Sequence, residues 1–107
     1  MKYSRPVWEM AEHVARGLGG NERWLPLIEI VQGVQRRFQE DVNEHTIRHQ
    51  VIRHCVNRHP GHDSYPDKGK FWQERRVFVT DGNGNYRLYS EPRDLDVFKD
   101  ALRQHGL

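Results

Sequence analysis

Apolar side chains in the first third of the chain recur every three or four positions, the spacing of an α-helix. Val7, Trp8, Ala11, Val14, Ala15 and Leu18 form the first such set. Ser4 followed by Pro6 reads as an N-cap with proline in the first turn, and Gly17, Gly19 and Gly20 end the segment, so a helix is predicted over about residues 5–17. A second set, Leu27, Ile28, Ile30, Val31, Val34 and Phe38, follows Pro26 and ends beside Arg36 and Arg37, whose charge suits a helix C-terminus. Gln39 to Val42 then forms a short polar connection.

Asn43 is a good N-cap for a third helix. At about 100° per residue from Ile47, the residues Ile47, Val51, Ile52, Cys55 and Val56 fall on one half-circle. Thr46, Gln50, Arg53 and Asn57 occupy the centre of the other half, with His49 at its edge. One face is therefore expected in the core and the other in water. Arg48 falls within the apolar half, where either its stem lies along the core edge while its head pairs with an acid or carbonyl, or it reaches a phosphate beside the helix; the structural role is favoured.

Past this helix the helical period stops. Pro60, Gly61, Pro66 and Gly69 punctuate residues 59–74 as a loop. Val77, Phe78 and Val79, then Tyr86, Leu88 and Tyr89, flank the turn sequence Asp81-Gly82-Asn83-Gly84, which predicts a β-hairpin over about 76–89. Glu91-Pro92 breaks the chain, and Leu95, Phe98, Ala101 and Leu102 mark a short C-terminal helix. The order helix, helix, helix, hairpin, helix is that of a winged helix-turn-helix. The expected fold is thus mainly α (α+β), one domain over 1–107 with three helices, a two-stranded wing and a short final helix.

Composition fits one small domain: 36% apolar residues and three Trp can fill a single core, and 30% charged residues coat it. No stretch is apolar enough to span a membrane and no secretory pattern opens the chain; the one cysteine fits a reducing compartment, so a cytoplasmic location is expected. The net charge of +2 is small, yet it is unevenly placed. Residues 1–42 carry six basic and six acidic side chains and residues 93–107 three of each, whereas residues 43–92 carry eight against six and five of the seven histidines.

Thr46-Ile47-Arg48, Cys55-Val56-Asn57 and the hairpin end Tyr86-Arg87-Leu88-Tyr89 resemble the winged-helix domains attached to prokaryotic restriction endonucleases and related defence proteins. The resemblance spans the last two-thirds of the domain and implies a DNA-binding accessory role, often target sensing, with a nuclease or another defence-system subunit as partner. It departs in having no nuclease in this chain and an idiosyncratic segment at 59–74.

On its own residues the third helix is the main candidate for double-stranded DNA, because Arg, Gln, Asn and Thr read base edges or hold phosphates. Asn43, Thr46, His49, Gln50, Arg53 and Asn57 are expected on the groove side. Lys68, Lys70, Arg75 and Arg76 before the wing, and Asn83 and Asn85 at its tip, are expected on the backbone. His45 and His49, four apart, with His59, His62 and Asp63 beyond, suggest a metal only weakly, since Cys-x-x-Cys and His-Glu-x-x-His are absent. Imidazoles that bond phosphates or bases, and gain charge below about pH 6.5, account for them better. No nucleophile elbow, phosphate loop or nuclease carboxylate pair is present, so neither catalysis nor a cofactor is expected. A regulator of transcription is the variant role; a protein-interaction module that keeps the fold without the DNA surface is the alternative function.

Overall fold

Two prolines set where the first helices start. Pro6 and Pro26 each hold φ near −57° with an extended ψ at the N-cap position, and α1 (Val7–Gly17) and α2 (Leu27–Arg37) run on from them. A proline there loses nothing, because the first N–H groups of a helix have no partner within it. Ser4 does not cap α1, contrary to the sequence expectation; its N–H and hydroxyl donate to the Glu40 carboxylate instead. The computed structural model describes residues 3–38, 40–58 and 75–104.

Between these helices Leu25–Pro26 forms a two-residue strand, β1. Helix α3 spans Glu44–Arg53, and its Asn43 cap accepts from the amides of His45 and Thr46. The hairpin follows as β2 (Phe78–Thr80) and β3 (Asn85–Leu88). Helix α4, Glu91–Gln104, closes the series. The described residues form a small α+β fold of four helices and one antiparallel sheet in the order β1-β3-β2. The sheet has three strands where the sequence suggested two. β1 pairs Leu25 with Tyr86 and Pro26 with Asn85, a strand too short to leave a period-2 signal. The final helix is longer than expected as well, because Pro92 lies inside its first turn and does not end the chain's order there.

The core is built by α1, α2 and α3 closing over the sheet. Met10, Ala11, Ala15, Ile30, Val31, Val34, Ile47, Val51, Phe78 and Tyr86 are all fully buried. Each large member contributes roughly 1.5–3 kcal/mol of apolar transfer free energy. α1 and α2 approach closely at Gly33, where an added Cβ would lie 2.4 Å from Val14 Cγ1. Leu18 and Ile28, both members of the periodic apolar sets, stay 38% and 41% exposed. A second cluster of Val56, Val79 and Phe98, edged by Trp24, Tyr89, Leu95 and Leu102, seats α4.

Asp94 locks that seat. Its buried carboxylate accepts from Arg87 at 3.2 Å, Arg93 at 2.9 Å and the Ser90 amide at 3.0 Å. Burial pushes this carboxyl up, but the bonds from Arg93, the Ser90 amide and Arg87 outweigh it, so the group sits below its ordinary range. Arg87 also lies over the Trp24 ring, 4.1 Å from its centroid. No described helix is long and apolar enough to cross a membrane.

Candidate nucleic-acid interface

Helix α3 ends at Arg53, three residues short of the end of the apolar pattern that runs on to Val56. Cys55 instead forms a parallel bridge with Phe78, and the chain there bonds to β2 through Val56 N to Phe78 O at 2.8 Å and Phe78 N to His54 O at 3.0 Å. Cys55 and Val56 are buried as strand-like neighbours of the sheet. Including them in a helical wheel skews the inferred face. With Ile47 and Val51 alone as the buried seam, about 100° per residue puts His49 opposite the core, flanked by His45 and Arg53.

Exposure follows the corrected wheel. His45 and His49 are exposed, while Thr46, Gln50, Ile52 and Arg53 are half-buried. Gln50 was expected in open solvent at the centre of the polar face and lies at its margin. The two exposed imidazoles sit together, with ring centroids 4.9 Å apart. Arg48 behaves as its position suggested: its Nε donates to Glu44 at 2.9 Å, one turn back.

Several other candidates are held by the fold itself. Asn57, expected on the groove face of α3, lies beyond the helix and clamps β2: its Nδ2 donates to Thr80 O at 2.8 Å, and Thr80 N donates to its Oδ1 at 2.9 Å. Asn43 caps α3. Asn85 donates through Nδ2 to Asp81 at 2.8 Å, and the backbone N–H of Asn83 donates to the same carboxylate at 2.7 Å. These bonds, the Asn85 side chain first, hold the Asp81 carboxyl below its ordinary range, so the hairpin tip carries a firm negative charge. Gly82 and Gly84, at φ of +83° and +84°, let the tip turn in the left-handed region.

The basic pair ahead of the hairpin is similarly engaged. Arg75 lies over the Trp8 ring at 5.3 Å, whose other neighbour is the buried His54 ring at 5.2 Å. His54 Nδ1 is 2.9 Å from the Gln50 carbonyl oxygen, so that nitrogen carries the proton and donates. Arg76 pairs with Glu91 at 3.2 Å and covers the rings of Phe98 and Tyr89. Lys68 and Lys70 lie outside the described residues, as do His59, His62, Asp63, Phe71 and Trp72. Among the described residues, no three His, Cys, Asp or Glu side chains gather as a metal site would require.

One cation was overlooked from sequence. Arg58 donates from its guanidinium to the hydroxyl of the buried Tyr86, 28 residues away. No spacing rule connects the two positions, since the pairing exists only once β3 is in the sheet.

The family described as "Domain of unknown function (DUF7669)" matches residues 6–88. The chain belongs to that family. The match runs from the start of α1 to the end of β3 and leaves α4 outside it. No curated protein and no solved structure matches the chain.

Proposed function

We propose that this domain is a winged helix-turn-helix that binds duplex DNA, with α3 entering the major groove. The order helix, strand, helix, helix, strand, strand supports that reading, as does the glycine-tipped hairpin beside α3. The observation that carries it is the outward ridge of α3, where His45 and His49 stand exposed with Arg53 beside them and Thr46 and Gln50 at the margins. A helix presents such a ridge to base edges and phosphates at once. The role is one of binding without catalysis, as the target-sensing part of a restriction or defence system or as a small transcription regulator. The likeness of Thr46-Ile47-Arg48 and Tyr86-Arg87-Leu88-Tyr89 to restriction-associated winged helices favours the first, with a nuclease or another defence subunit as partner and the cytoplasm as the place of work.

Fluorescence anisotropy with a labelled random-sequence duplex tests this directly. Affinity should fall steeply as salt rises, because neutralised phosphates release counterions. The double variant H49A/R53A should weaken binding by about 1–3 kcal/mol. Salt-independent or absent binding would refute the reading.

A protein-interaction module is the second reading, and the wing favours it. Asp81 places a carboxylate at the wing tip, and Arg76 and Asn85 are committed to contacts within the domain. Under that reading the ridge of α3 would meet an acidic partner, and the H49A/R53A variant would leave duplex binding, if any, unchanged.

A further inference from the structure

An open cavity of about 510 Å³ lies between the segment after α3 and the turn end of the wing, lined by Asn57, Arg58, Thr80, Gly82 and Gly84. Its polar walls are largely satisfied among themselves. Asn57 and Thr80 exchange two hydrogen bonds, the Thr80 hydroxyl donates to Asn85 O at 2.7 Å, and it accepts from Gly82 N at 3.2 Å. Among the described residues of that lining Arg58 carries the only charge, and it is exposed. A guanidinium has five N–H donors in a rigid fork, and the Tyr86 hydroxyl takes one of them. Tyr86 is fully buried and anchored in β3 between two strands, so its hydroxyl is a fixed post. The nearest carboxylate along the wing, Asp81, is turned onto the amides of Asn83 and Asn85 and the Asn85 side chain. A Cβ built at Gly82 or Gly84 would meet nothing within 4 Å, so that stretch of wing backbone is open to close approach.

The geometry points to a phosphodiester-binding site in this cavity, with Arg58 as the ligand-holding residue and Tyr86 as the residue that positions it. The inference rests on the DNA-binding reading and gives that reading a backbone anchor of its own, apart from the α3 ridge. A pre-aimed guanidinium loses little freedom on binding and can take two oxygens of one phosphate. Such a contact fixes register on the duplex and carries no sequence information.

The test measures affinity for a random duplex across a salt series for the parent and three variants. R58Q removes the charge but keeps a donor for Tyr86; its affinity should drop about tenfold, equally for all sequences, and the log–log salt slope should shrink by about 0.9. R58K should keep the slope. Y86F keeps the ring in the core and the charge on Arg58, so the slope should persist while affinity falls by a smaller factor. Circular dichroism melts confirm that each variant is folded. If the parent binds with a steep salt slope and R58Q shares that slope, the cavity is no phosphate site although the DNA reading stands. If the parent shows no salt-dependent binding, both fall.

Discussion

Replacing Asn57 with alanine removes a clamp from the fold at a position whose residue type also suits base reading. In the structure its amide group exchanges hydrogen bonds of 2.8 and 2.9 Å with the backbone of Thr80, which is 9% exposed. Truncation therefore leaves a nearly buried N–H and C=O without their partners. At about 1–1.5 kcal/mol for each bond lost, N57A should cost about 2–3 kcal/mol. Small domains have only about 5–15 kcal/mol of stability, so urea midpoints would move plainly, and Tm would fall by roughly 10–20 °C. N57D should be nearly as damaging, since it keeps the acceptor for Thr80 N but sets an anionic oxygen against Thr80 O. Urea unfolding followed by circular dichroism measures the loss, and DNA anisotropy on the folded fraction measures binding. The reasoning fails if N57A keeps its stability within about 0.5 kcal/mol, the range of an ordinary surface substitution. A simultaneous change in base preference would return Asn57 to the reading face.

Other predictions concern the seat of α4 and the helix packing. D94N should destabilise by about 3–5 kcal/mol, because it strips a buried partner from Arg87 and Arg93. The sign of the pH effect follows from the same carboxyl, lowered from its ordinary 3.8: its stabilising contribution is complete above that value and is lost as pH falls through the folded-state value. An acid titration of stability should therefore decline below about pH 4 in the parent and be flatter there in D94N. G33A should destabilise by about 1–3 kcal/mol despite alanine's better helix propensity, since the new methyl meets Val14 Cγ1 at 2.4 Å; a melt showing no loss would mean the helices can part without cost.

Much of the secondary structure was readable because it is local. The prolines at 6 and 26, the Asn43 cap, the periodic apolar sets of α1 and α2 and the Asp81–Gly84 turn act within a few residues of themselves, and each element appears where those signals put it. The third helix shows where local information stops. Cys55 is apolar and in phase with Ile47 and Val51, and Val56 falls at the far edge of the same half-circle, so the sequence continues the helix through them. Phe78, more than twenty positions later, takes their backbone into a bridge and ends the helix at Arg53. That long-range pairing rotates the exposed face from Gln50 towards His49 and turns Asn57 from a candidate reader into a clamp. β1, the Arg87–Asp94–Arg93 network and the placing of Arg58 on Tyr86 share the same cause. By itself the sequence determined which segments are helical, where the hairpin turns and which residue types are available for a ligand. Which of those side chains face water was decided by tertiary structure, because a hydrogen bond between distant segments is favourable only after the core has brought them together.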